Sequence, residues 1–203
     1  SRGGVDYWVV KVNENGSKLW DKRFGGDLHD SCWDAVPTKD GGFLLAGESN
    51  STVSGDKSES SRGLLDFWLV RIDENGTKIW DKRFGGSGRD YHPLIEAAHD
   101  GGFVVAGRSI SPVSGDKTER DGGNDYWIVK IDENGTKVWD KSFGGPASEY
   151  IEDLVACTDG GFALVGHTTS GAGADVTQAL LATKDYWMIK IDSSGSKLWD
   201  KRF

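Results

Sequence analysis

Apolar residues in this chain come in runs of strand length, each closed by a glycine-bearing turn, and the same succession of runs keeps returning. In residues 27–84, Ser31 to Thr38 reads as a short mixed strand, followed by the turn Lys39-Asp40-Gly41-Gly42. Phe43-Leu44-Leu45-Ala46-Gly47 is a continuous apolar run, the pattern of a strand covered on both faces. After a long polar loop, Phe67 to Ile72 supplies the aromatic and β-branched residues of a third strand. Asn75-Gly76 predicts a two-residue hairpin, because both turn positions need positive φ. Lys78 to Phe84 is then a fourth strand, closed by Gly85-Gly86. With 29 glycines and no sustained 3.6-residue period, the chain reads as all-β.

The succession has a fixed period. Asp-Tyr/Phe-Trp begins at Asp6, Asp66, Asp125 and Asp185, in steps of 60, 59 and 60 residues. Trp-Asp-Lys follows at Trp20, Trp80, Trp139 and Trp199, and Asp-Gly-Gly-Phe recurs at Asp40, Asp100 and Asp159. Such a period belongs to stacked arrays, in which no unit buries its apolar face alone. Four antiparallel strands per unit match a β-propeller blade, whereas a β-helix needs shorter coils and an immunoglobulin-like array more strands. The expected architecture is a single propeller region over residues 1–203. It comprises an N-terminal half-blade at 5–24 and complete blades at 27–84, 87–143 and 148–203. Three and a half blades leave a pairing edge open. Further blades from the same longer chain or from another subunit are therefore expected, and the start inside a repeat at Ser1 points to sequence before it.

The stretch KIDENGTKIWDKRFGG, with a near-copy from Lys130, resembles the Asp-x-x-Gly-x-x-x-Trp motif of quinoprotein-like (PQQ-like) propeller blades. With DGGFLLAGES and GGSGRDY, the longer pattern is similar to tandem repeats of secreted bacterial surface proteins associated with type IX secretion. That resemblance spans essentially the whole chain. It implies a blade tryptophan docked between neighbouring blades, and an extracellular or outer-cell-surface location. Residues that would coordinate a quinone and its calcium have no counterpart, so no cofactor is expected.

A net charge of −8, with the 24 basic residues dispersed, argues against nucleic-acid partners. No apolar stretch reaches the ~20 residues of a membrane helix, so no membrane span is expected. The two cysteines, Cys32 and Cys157, occupy different repeat positions, and no disulfide framework follows from them.

Most motifs read as structure. The repeated tryptophans, including Trp80 and Trp139, are expected to be largely buried between blades, since every blade must dock alike. Opposite one another across the hairpin, Lys11 and Trp20, and Trp8 and Arg23, suggest cation–π pairs. Lys11, Arg71, Lys130 and Lys190 share one repeat position and are assigned to structure rather than a ligand ring. Asp73-Glu74-Asn75-Gly76 lacks the alternating ligands of a calcium loop, and Asp192-Ser193-Ser194-Gly195 loses more. Asn15, Asn75 and Asn134 fit a glycosylation sequon that a hairpin turn produces unaided. Ser54-Gly-Asp-Lys57 and Ser114-Gly-Asp-Lys117 match a Ser-x-x-Lys signature without its helix or companion motifs. His92, Glu96 and His99 have helical metal spacing, which a strand scatters. No metal site is assigned.

Candidate binding residues come from positions where the repeats diverge. Trp33 is matched by Pro93 and Glu152, so packing common to all blades cannot require it. With Tyr91, His92 and Tyr150 it lies on the variable first strand, near a face that also carries the longest loops, 49–65, 109–124 and 168–184. The expected function is non-enzymatic binding, adhesion or scaffolding in an exported surface protein, with a protein or glycan ligand. The alternative is a propeller enzyme acting on carbohydrate, its active site on the loop-rich face, with Asp34 and Asp153 as candidate carboxylates.

Overall fold

The computed structural model describes residues 2–119 and 123–203, and no helix forms among them. A two-stranded antiparallel sheet opens the chain, β1 (Tyr7–Val12) with β2 (Lys18–Phe24). Three four-stranded antiparallel sheets follow, each ordered along the chain. They are β3 to β6 (Asp30–Pro37, Phe43–Ser49, Asp66–Ile72, Lys78–Phe84), β7 to β10 (Asp90–Ala97, Phe103–Ser109, Asp125–Ile131, Lys137–Phe143) and β11 to β14 (Glu149–Ala156, Phe162–Thr168, Asp185–Ile191, Lys197–Arg202). The first strand of the first complete sheet begins one residue earlier than the pattern predicts.

The hairpin between the third and fourth strands differs from the two-residue prediction. Asp73 N–H donates to Thr77 O and Gly76 N–H to Asp73 O, so the connection spans five residues and ends in a bulge. The Asp73 carboxylate accepts from Asn75 N (2.9 Å) and Thr77 N (2.7 Å), and Gly76 sits at φ 77°. An Asx-turn satisfies two backbone donors that a tighter turn would handle differently, and glycine takes the left-handed position. The facing pairs still hold: Lys11 lies opposite Trp20 and Trp8 opposite Arg23. Their chemistry differs from the expected pairing. Lys11 does sit over the Trp20 ring, at 5.9 Å, but Arg23 pairs with Asp6 (3.5 Å) and Trp8 donates to Asp21 (3.3 Å). At the same position as Lys11, Arg71 binds Asp40, and Lys130 and Lys190 bind Asp100 and Asp159 at 2.7 Å. The cation therefore tethers the Asp-Gly-Gly turn to the third strand.

Three apolar clusters join the sheets in chain order. Each third-strand tryptophan points back to the preceding sheet: Trp68 meets Tyr7 at 4.8 Å, Trp127 meets Phe67 at 5.1 Å, and Trp187 meets Tyr126 at 5.2 Å. The three indoles are 0% exposed. Each Nε1–H donates to the aspartate of the same sheet's Trp-Asp-Lys, Asp81, Asp140 or Asp200, at 3.0–3.1 Å. Asp81 also accepts from Lys78 (2.7 Å) and the Ser58 amide (2.8 Å). Burial pushes its carboxyl pKa up, but those bonds outweigh it and hold the group below its usual range. One carboxylate thus ties two strands and a loop together.

Fourth-strand tryptophans behave differently from expectation. Trp80 and Trp139 are half-buried, each ring resting on the Asn-Gly or Ser-Gly turn of the next sheet. A Cβ on Gly135 would come within 3.1 Å of the Trp80 ring, and one on Gly195 within 3.0 Å of Trp139. Where no neighbouring sheet covers them, Trp8 and Tyr186 are 70% and 72% exposed.

The long loops explain Ser-Gly-Asp-Lys-x-Glu. Asp56 and Asp116 accept from the linker amides of Gly25 (3.3 Å) and Gly85 (3.2 Å), and Glu59 pairs with Arg83 (3.2 Å). Lys57 is buried over the Trp68 ring, 5.4 Å from its centre, and its Nζ has no hydrogen-bond partner among the described residues. In the last sheet Val176 fills the same place, and Glu149 replaces Asp30, reaching Thr168 (2.7 Å) and Ser170 (2.5 Å). Burial pulls the Lys57 ammonium down to about 8, against the attraction of Asp30 and Asp66. Because the folded value lies below the unfolded one, the charged lysine opposes folding below pH 8, and that cost fades as pH rises toward 10.5. Lys57→Met is expected to gain about 1–3 kcal/mol at pH 7. Urea unfolding at pH 7 and pH 10 should show the gain shrinking at the higher pH.

Candidate functional site

The first strands of the three complete sheets lie side by side, β3 against β7 and β7 against β11. Each carries a bulge at the same repeat position, between Cys32 and Asp34, Tyr91 and Leu94, and Ile151 and Asp153. Trp33, Pro93 and Glu152 fall within these bulges, so the divergent residues coincide with the places where the pairing is broken. A bulge frees a side chain from the ladder's alternation and re-aims it. At His92 the backbone also adopts φ 53°, unusual for a non-glycine residue, with its amide donating to Glu48 (2.9 Å) on the preceding sheet.

Three of the four candidate residues come together. Trp33, 50% exposed, lies 4.1 Å from the His92 ring, and Tyr91 meets His92 edge-on at 5.3 Å. Tyr150 belongs to an adjoining group instead, stacked on His167 at 4.6 Å and an interplanar angle of 15°. Arg108 links the two. It lies opposite Tyr91 in the ladder, stacks over Tyr150 at 4.7 Å and pairs with Glu152 at 3.2 Å. Glu152 also approaches His167 (3.7 Å), while Arg89 covers Tyr91 at 5.5 Å and Lys184 covers Tyr150 at 5.9 Å.

Burial lowers the pKa of His92, aided by Arg108 and Arg89 and opposed by Glu48 and Glu152. His167 is lowered by burial and by Lys184 and Arg108, against Glu152. Both rings are therefore neutral at pH 7, and the charged groups are guanidinium, ammonium and carboxylate. The result is an aromatic ledge with a mixed-charge rim. It can stack a planar face and hydrogen-bond its edges.

Glu48, Arg108, Glu152 and His167 complete the arrangement. Glu48, Arg108 and His167 share one repeat position on otherwise closely similar second strands, so the same divergence that marks Trp33 also marks them. The other motifs separate. Ser54 Oγ donates to Thr52 O while Lys57 lies on Trp68, and His99 binds the Cys157 carbonyl (3.0 Å), away from His92's aromatic partners. Cys32 and Cys157 are free thiols. Along the first strands, Asp34 accepts from the Ala35 (2.8 Å) and Ile95 (3.0 Å) amides, and Asp153 from Leu154 (2.9 Å). Burial raises the Glu96 carboxyl, and both aspartates reinforce the shift.

No family model matches the chain. In an alignment 180 positions long that covers 84% of the chain, it is 25% identical to regulatory protein FlaEY of Caulobacter vibrioides and spans 19% of that protein. Similar solved structures include a protein of unknown function from Bacteroides caccae, at 12% identity and a TM-score of 0.27, covering 98% of this chain and 94% of that one. Another is hydrazine synthase of Kuenenia stuttgartiensis, at 11% identity and a TM-score of 0.42, covering 93% and 57%.

Proposed function

We propose that the sheets are blades of a β-propeller and that the chain is a non-enzymatic binding module of an exported bacterial surface protein. In that reading the two-stranded sheet is a half-blade, and residues 27–84, 87–143 and 148–203 are complete blades. The repeat resemblance supports the secreted, adhesive setting, and the stacked bulges support the binding site. One observation carries the site: the side chains that differ between otherwise similar sheets converge on neighbouring first and second strands, as half-exposed rings beside Arg108 and Glu152.

A sugar suits this ledge, since its apolar face stacks on an indole and its hydroxyls meet charged donors and acceptors. A glycan array should give selective binding, and titration calorimetry should show Trp33→Ala and Arg108→Ala each weakening it at least about tenfold, roughly 1.4 kcal/mol. Undiminished binding by both variants would place the ligand elsewhere. Glu96, raised and flanked by Asp34 and Asp153, gives the enzymatic alternative a locus. Hydrolysis products in the same screen, lost in Glu96→Gln, would favour that reading.

A further inference from the structure

We infer that the free edge of β1 is a docking site for a β-hairpin of the repeat's own chemistry, an Asp-Gly-Gly turn leading into Phe, two aliphatic residues, Ala and Gly. The inference rests on the blade equivalence proposed above. By its Asp-Tyr-Trp start, β1 is the counterpart of β5, β9 and β13. Each of those is paired on both sides, whereas among the described residues β1 pairs with β2 alone.

The complete sheets specify what fits. In all three, a glycine of the second strand lies opposite the third-strand tryptophan: Gly47 with Trp68, Gly107 with Trp127, Gly166 with Trp187. Phenylalanine lies opposite the last isoleucine, as Phe43 does to Ile72. Transferred to β1, this register sets glycine against Trp8 and phenylalanine against Val12. Beside that edge runs a groove of about 350 Å³, with Val9, Val10, Val12, Ala35, Phe43 and Leu45 in its lining. Phe43 is half-buried there, although its counterparts Phe103 and Phe162 are buried by the strands of a preceding complete sheet. An incoming apolar strand would cover the groove as those strands do.

Charge makes the same argument. Arg71, Lys130 and Lys190 each hold the aspartate of their own sheet's Asp-Gly-Gly turn. Among the described residues Lys11 has no such carboxylate and donates instead to the Glu74 carbonyl at 2.9 Å. A hairpin bearing Asp-Gly-Gly would bring the anion to a waiting cation.

A synthetic peptide of residues 30–49 carrying Cys32→Ser tests this directly. Fluorescence anisotropy should give saturable binding, and hydrogen exchange across Tyr7–Val12 should slow at least about tenfold, as expected for newly paired amides. A Gly47→Val peptide should fail to bind, because a Cβ at that position would lie 2.1 Å from the Ser31 carbonyl oxygen across its own hairpin and keep the two strands from pairing, and Asp40→Asn should weaken binding at least about threefold at low salt. No saturable binding, unchanged exchange in β1, or equal binding by the Gly47→Val peptide would each overturn the docking site. Small-angle scattering of the peptide-free chain keeps the two readings apart. An arc of sheets with no peptide binding defeats only the docking site, and sheets not arranged as an arc defeat the blade reading.

Discussion

Trp127→Ala is expected to destabilise the protein by about 3–5 kcal/mol, the range for large aromatic truncations in a packed interior. Its ring is 0% exposed, stacks on Phe67 across the sheet interface, and donates to Asp140 at 3.1 Å. Truncation removes apolar burial and opens a cavity between two sheets that cannot close without moving both. Asp140 keeps Lys137 (2.8 Å) and Thr118 (2.9 Å to its amide), so the loss is mostly packing. Trp8→Ala serves as the internal comparison. The same residue type at the same repeat position is 70% exposed, and its loss should cost less than about 1 kcal/mol. Urea unfolding of both variants decides the matter. Similar costs would mean that the sheet interfaces contribute little to the tryptophan's role.

Gly107→Val should cost at least about 3 kcal/mol, beyond ordinary overpacking, because part of the obstruction is backbone. A Cβ at Gly107 would lie 2.7 Å from Phe67 Cζ and 2.8 Å from the Tyr91 carbonyl oxygen. The phenyl ring is wedged between sheets, and the carbonyl belongs to the neighbouring strand, so neither can retreat. Gly47 and Gly166 occupy the same position and face Tyr7 and Tyr126. The glycine is thus the socket into which the preceding sheet's aromatic ring fits. Thermal unfolding would check it, and a midpoint within a few degrees of the parent would show that the interface yields more than this geometry allows.

The candidate site was legible only in part. Trp33, Tyr91, His92 and Tyr150 stand out because they break a repeat that is otherwise kept. Arg108 and His167 break it equally, at the position of Glu48, but on a strand whose apolar run reads as pure core. Which of these side chains meet depended on the bulges, and a bulge reflects pairing between strands, leaving no mark in either strand's composition. The fourth-strand tryptophans illustrate the same limit. Repetition implies that Trp80 and Trp139 dock alike, and they do, yet what each docks on is a turn, and the rings stay half-buried.

Sequence alone determined the all-β class, the four strands of each complete unit, their boundaries to within about two residues, and the facing pairs of the first hairpin. Those features follow from local rules: side-chain alternation, turn residues and a repeat that states each rule several times. Tertiary structure decided the rest. It placed Arg71, Lys130 and Lys190 on the Asp-Gly-Gly aspartates, buried Lys57, and joined residues of neighbouring sheets into one aromatic and ionic ledge. The ledge partners, some forty to sixty residues apart, meet only when whole sheets stack, and the geometry of that stacking belongs to the interfaces and not to any one strand.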